Sequence, residues 1–186
     1  MRGLATAIGV VVSIMFTSSA HADLTIKEPD AHPQYRAELE PNFLLSLWHR
    51  NLGKHYGNDQ RLGDAEFGGG FRASIEVADP AFIPKLNNTV AITFGAALMT
   101  CKSACRFSVQ QLFPVGLQWN FWLTEKWNAM AEGGFLLRTF GEFEEITADF
   151  WADIGGRYQF TDNVALALRV GYPFTVSFGP SFFVGD

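Results

Sequence analysis

Three groups of side chains in this sequence could do chemistry, and each is judged by its neighbours. His49 and His55 stand in or beside the polar stretch 51–63, with Tyr56 and Asp59 close by and Ser103 in a second polar segment. A histidine that faces a hydroxyl and is itself oriented by a carboxylate can activate a nucleophile for acyl chemistry. No spacing here forces those groups together, no His-x-Ser arrangement occurs, and His32 lies apart in a proline-bounded lead-in. No catalytic residue is assigned, and the expectation is a protein that is not an enzyme. Glu142, Glu144 and Glu145 crowd the short segment 141–145 and could bind a divalent cation, although such a run is ordinarily a solvated loop. Cys101 and Cys105 bracket Lys102-Ser103-Ala104. Two thiols alone make a poor metal site. In an exported chain they are expected to bridge a loop tip, the alternative being two free thiols. Gly68-Gly69-Gly70 has no following lysine and lies in a strand pattern, so it is not a phosphate-binding loop. No metal and no cofactor are expected.

The other ionisable residues are more informative, because they fall on one parity. Arg36, Glu38, Glu40, Glu66, Arg72, Glu76, Glu132, Arg138, Asp149, Asp153, Arg157 and Arg169 alternate with apolar neighbours throughout. A period of two is the mark of β-strands with one apolar and one polar face. It is clearest over 147–183. There Ala148, Phe150, Ala152, Ile154, Tyr158 and Phe160 alternate with Asp149, Trp151, Asp153, Arg157 and Gln159. Beyond Thr161-Asp162-Asn163 the pattern resumes with Val164, Leu166, Leu168, Val170 and Tyr172, and beyond Pro173 with Phe174, Val176, Phe178 and Phe182.

Taken in order, strands are predicted from Gln34, over 65–78, 89–100 and 107–123, from Trp127, and three times within 147–183. Pro41 interrupts the first and predicts a bulge or a change of sheet edge. Eight strands close an up-and-down barrel with both chain ends on one side. Its short turns are 124–126 and 161–163, with a longer connection at 79–88 on the same side. The loops 51–63, 101–105, 141–145 and 172–174 fall on the other.

The ends and the composition bound the setting. Met1-Arg2, the apolar run 4–16 and Ala20-His21-Ala22 read as an export signal, so residues 1–22 are removed, 23–33 lead in, and 34–186 form the barrel. The net charge of −5 becomes −6 once Arg2 is gone, and no basic stripe suggests nucleic-acid binding. Aromatic residues make up 15%, with 18 Phe. That load suits a barrel carrying aromatics on its outside as well as its inside. Trp119, Phe121, Trp127, Tyr158 and Phe160 flank two predicted short turns and read as an aromatic girdle, with Tyr172 and Phe174 as candidates for the opposite one.

In strand pattern, signal and turn placement the chain resembles the small eight-stranded outer-membrane barrels of Gram-negative bacteria, such as the OmpA transmembrane domain, OmpX and OmpW. The resemblance implies an antiparallel transmembrane β-barrel in the outer membrane, monomeric, among outer-membrane lipids and lipopolysaccharide and inserted by the barrel-assembly machinery. So narrow a barrel is filled by side chains, so the mixed charges become a ladder of internal ion pairs and the role structural or surface-interacting. The same residues could instead line a small channel, although Trp48, Trp122 and Trp151 on the inward parity would obstruct it. Some such barrels modify the acyl chains of lipid A, a lesser alternative that would fall to His49 and His55. A soluble lipocalin-like binder would need the opposite polarity, with all the aromatics inside.

Overall fold

A computed structural model describes residues 32–47, 65–100, 109–140 and 145–185. Eight antiparallel strands follow one another around a closed barrel: β1 (Ala37–Ser46), β2 (Glu66–Ala78), β3 (Asn88–Thr100), β4 (Val109–Trp122), β5 (Trp127–Phe140), β6 (Glu145–Thr161), β7 (Val164–Tyr172) and β8 (Val176–Val184). Each strand pairs with its neighbours in sequence, and β1 closes on β8 through bridges such as Ala37↔Val184 and Leu45↔Val176. Closure gives every strand a partner on both sides and so avoids the long free edges of an open sheet; residues 145–151 of β6 run beyond the β7 ladder.

The alternation read from the sequence is the wall itself. Phe67, Phe71, Ile75 and Val77 on β2, Val115 and Leu117 on β4, and Phe150 and Ile154 on β6 are all exposed on the outside. Between them stand buried Arg72, Ser74, Gln118, Asp153 and Arg157. The first strand begins later than the alternation suggested, at Ala37 rather than Gln34, and Glu145 belongs to β6 opposite Phe140 rather than to an acidic loop.

Pro41 makes no bulge. Its pairing with Phe71 keeps the register of the residues on either side, and the β1–β8 register is the same before and after the gap between Leu39↔Phe182 and Phe43↔Phe178. That register sets Pro41 across from Pro180, and neither has an N–H to donate, so the ladder skips a few bonds without changing step. The irregularities lie elsewhere, at Glu76/Ala78 between β2 and β3 and at Gln159/Thr161 between β6 and β7.

The two ends of the barrel differ. One carries the connections 79–87, 123–126 and 162–163 together with the start of β1 and the end of β8, and is the turn end; the opposite one is the loop end. At the turn end Thr124 Oγ1 accepts hydrogen bonds from the amides of Lys126 and Trp127, a side-chain turn that lets β4 reverse tightly into β5. The amide of Arg36 donates to the carbonyls of Val184 and Gly185, joining the residue before β1 to the end of β8.

Candidate functional site: a sealed, charged lumen

The inward parity brings together residues far apart in sequence. Arg169 from β7 donates through Nη1 to Glu40 Oε1 on β1 at 2.6 Å and through Nε to Glu132 Oε1 on β5 at 2.8 Å. Glu132 also accepts from Arg72 Nη1 on β2, and the other nitrogen of that fork, Nη2, stands 3.7 Å from Asp153 Oδ2 on β6. Nearer the turn end Arg157 Nη2 donates to Glu38 Oε2 at 2.7 Å. Gln118 links the charged pairs to neutral partners: its Nε2 donates to Glu38 Oε2 at 3.2 Å and to Asn120 Oδ1 at 2.9 Å, and its Oε1 accepts from Ser74 Oγ at 2.6 Å. Asn120 in turn donates to Thr89 on β3, and Ser181 on β8 donates to Glu40, so all eight strands contribute to two neighbouring networks, one around Arg169 and one around Arg157 and Gln118.

These groups are deeply buried. Arg157 is 0% and Arg169 1% exposed, and Glu38 and Glu40 are 2% and 1%. A lone charge at such depth is prohibitively costly, whereas interleaved guanidiniums and carboxylates offset one another through charge-assisted bonds. Four carboxylates (Glu38, Glu40, Glu132, Asp153) meet three guanidiniums (Arg72, Arg157, Arg169) in this layer.

The layer is closed above and below. Toward the loop end Leu44, Met99, Leu112, Leu136, Trp151 and Phe174 pack into one apolar cluster. Toward the turn end Tyr35, Trp122, Ala165 and Phe183 form a second. Charges and plugs touch: Arg72 lies 4.9 Å from the centre of the Trp151 ring and Arg157 5.4 Å from that of Phe183, within cation–π range. His32 stacks on Trp122 with ring centres 5.1 Å apart and closes the turn end further. The lumen is a polar slab between two apolar lids.

Glycines on the inward parity make room for their neighbours: a Cβ on Gly155 would come within 2.8 Å of Arg169 Cγ, and one on Gly134 within 2.2 Å of the Val115 carbonyl oxygen.

Several of the ionisable residues read as lumenal stand outside this slab. Arg138 and Asp149 pair at 3.2 Å near the loop end, where the Tyr172 hydroxyl also donates to Asp149 at 2.8 Å. Glu66 accepts from Gln110 at 3.0 Å at the same end, and Glu76 is half-buried near the turn end. Arg36 is a correction: it precedes β1, is exposed, and takes no place in the lumen, because the wall that would enclose it starts one residue later. Phe174 is a second. It is 4% exposed inside the loop-end plug rather than part of an outer girdle, because it falls in the connection before β8, where strand parity no longer applies.

On the outside at the turn end the aromatic residues meet in pairs. Trp119 and Phe121 lie 4.4 Å apart, Trp127 and Tyr158 4.9 Å, and Tyr158 and Phe160 5.3 Å. Sequence reading missed Tyr35, which it put on the outward parity, and His32, which it left in the lead-in; both fill the turn-end mouth. Gln118, Ser74 and Asn120 share the inward parity with the charges, and that parity was the available signal for them.

Cys101, Cys105, Trp48, His49, His55, Tyr56, Asp59, Ser103, Glu142 and Glu144 lie outside the described residues, as does the segment 1–22. Among the described residues no cluster of three or more His, Cys, Asp or Glu could hold a metal ion.

The chain matches no protein-family model and no curated protein sequence. Two solved structures resemble it in shape. One, from the de novo design of transmembrane β-barrels, shares 16% identity at a TM-score of 0.48, over 81% of this chain and 98% of that one. The other, the solution NMR structure of the de novo designed TMB2.3, shares 15% at a TM-score of 0.42, over 84% and 99%.

Proposed function

We propose that the chain is a monomeric transmembrane barrel of a Gram-negative outer membrane, with a structural or surface-interacting role and a lumen that does not conduct. The observation that carries this reading is the polarity of the wall. Among the described strand residues other than Glu145 no charged side chain is exposed, while large apolar side chains are, from Phe135 at 77% to Ile154 at 63% and Leu98 at 58%. In water such a surface would be an aggregation hazard; in lipid it is the expected one. Strands of 9–17 residues suit a crossing that takes about 9–11 tilted residues. A soluble binder with an apolar interior would need the reverse arrangement.

The same reading takes residues 1–22 as an export signal and Cys101 with Cys105 as a disulfide in the oxidising envelope, with insertion by the barrel-assembly machinery into a membrane of phospholipid and lipopolysaccharide. Two apolar plugs and the charged slab between them support a filled interior, and the reading invokes no cofactor and no catalysis.

Two measurements test it. Detergent-extracted protein should migrate differently on electrophoresis before and after heating, as a folded membrane barrel does; a water-soluble protein with one heat-indifferent band would sink the membrane reading. In planar bilayers the refolded protein should give no steady unit conductance, and reproducible single-channel steps would instead make it a small pore.

A further inference from the structure

The connection between β2 and β3 is long for the turn end of such a barrel, and its side chains do something specific. It is pinned from within. Asn88, fully buried, donates through Nδ2 to the carbonyls of Ile83 and Leu86, both at 2.8 Å, and its Oδ1 accepts from Trp119 Nε1 at 3.0 Å. The Ala81 amide donates to the Asn88 carbonyl at 2.8 Å, and the Trp122 amide to the Asn87 carbonyl at 3.0 Å. From the mouth of the barrel His32 holds one end of the segment, with Nδ1 2.6 Å from Asn87 Oδ1, while its Nε2 stands 3.5 Å from Asp79 Oδ2 at the other.

A segment held so firmly presents an apolar surface. Phe82 is 71% exposed, and Ile83 and Pro84 beside it are exposed too. Phe82 also meets Trp119 edge-on, ring centres 5.5 Å apart, so it extends the pair Trp119–Phe121 of the outer girdle. Val90, the cross-strand partner of Trp119, is only 5% exposed although it stands on the outward parity. Lys85 is the one charged residue in 80–87, and it is exposed.

We propose that residues 80–86 form a foot that docks on the bilayer itself, at the headgroup–acyl boundary of the leaflet on the turn side. This rests on the membrane reading above. Phe82 and Ile83 enter the boundary beside Trp119, and Lys85 sits at the depth of the lipid phosphates. Continuity with the girdle selects lipid over a protein partner: the foot prolongs a surface already facing lipid. Trp favours that depth because it joins a large apolar ring to a polar N–H, and Phe82 packs edge-on against the ring of Trp119.

Spin-label depth measurements in vesicles of phosphatidylethanolamine and phosphatidylglycerol test the proposal. Single cysteines replace Phe82, Ile92 (mid-wall) or Glu125 (the neighbouring turn), each with Cys101→Ser and Cys105→Ser, and heat-modifiable migration serves as the folding check. The label at 92 should collide mainly with oxygen, that at 125 mainly with a water-soluble nickel chelate, and that at 82 should lie at a shallow depth between them. A label at 82 as open to nickel as the one at 125, with 92 still immersed, overturns the foot alone. A label at 92 open to nickel overturns the membrane reading and the foot with it. If the cysteine-free background does not fold, Phe82→Trp in the otherwise unchanged chain serves instead. Its added emission should be quenched more by lipids brominated near the headgroup than by those brominated near the chain end, and no quenching by either would overturn the foot.

Discussion

Arg169→Met is the sharpest perturbation of the lumen. The guanidinium of Arg169 bonds Glu40 at 2.6 Å and Glu132 at 2.8 Å, and both carboxylates have at most 1% of their side chains exposed. Met roughly replaces the volume of the stem but removes the charge, leaving two buried carboxylates short of a partner. The two are not equal. Glu132 still has Arg72, whereas Glu40 keeps only the hydroxyl of Ser181 at 3.1 Å. Removing one partner of a buried pair costs about 3–5 kcal/mol, roughly a hundredfold or more in the folding equilibrium. Neutralising the stranded partner should recover much of that loss, and more in Arg169→Met/Glu40→Gln than in Arg169→Met/Glu132→Gln. Arg169→Lys should fall between, since one ammonium keeps the charge but lacks the planar fork that reaches both acids. Urea unfolding of the refolded barrel in detergent micelles, followed by tryptophan emission and by gel migration, gives the numbers. A loss within about 1 kcal/mol, the range of an exposed ion pair, would refute the reading of this layer as a tightly coupled interior.

Other outcomes follow from the same interior. Trp151→Ala, which empties the loop-end plug, should cost about 3–5 kcal/mol in the same unfolding assay yet leave planar bilayers silent, because the charged slab still fills the middle; steady conductance would show the plug to be the only barrier. Gly155→Val should destabilise the fold by at least about 1–3 kcal/mol as an overpacking change, since even its Cβ would press on Arg169; an unchanged urea midpoint would contradict this. Tyr35 gives the pH dependence. Burial raises its phenol well above the ordinary range, while nearby Arg157 pulls the other way. Its stabilising share is therefore complete below the unfolded value of about 10 and lost as pH climbs beyond it. Stability measured from pH 8 to 11 should fall less steeply in Tyr35→Phe than in the parent, and equal slopes would show that Tyr35 contributes nothing there.

How much of this was legible in the sequence depends on whether a feature has a period. The wall does. Phe150, Ile154 and Phe160 on one parity and Asp153, Arg157 and Gln159 on the other required only that side chains alternate across a strand, and the strand count, the closure and the inside-out polarity followed. What escaped lies where the chain leaves the strands. Phe174 was assigned by extending the parity of β7 through a proline, and the backbone there turns it inward. Tyr35 fell on the outward parity because β1 was extended backward three residues too far, to Gln34. Pro41 was expected to break the step because a lone proline often does; with Pro180 across from it, the missing bonds coincide and the register survives. The partner of each charge was also illegible. Parity says that Arg169 points inward but not that it meets Glu40, because that depends on the stagger between strands around the closed barrel.

That stagger gives the ion pairs their significance. On the outside every position presents much the same apolar surface, so sliding one strand by two residues along its neighbour changes that surface little. Hydrophobic burial therefore fixes the face of each strand but only weakly fixes its step. The lumen distinguishes the steps. Arg169 and Glu40 are 129 residues apart and Arg157 and Glu38 are 119 apart, so these contacts bind β6 and β7 to β1 across the interior. A two-residue slip at the β1–β8 closure would set one of Glu38 and Glu40 in the other's place and bring either Arg36 to Arg157 or Asn42 to Arg169, so one buried guanidinium would lose its carboxylate. An apolar filling of equal volume could match the net stability of the correct barrel, but it would tolerate the slipped ones. In this chain the charged slab does for closure what a turn does for a hairpin: it allows one register and penalises the next.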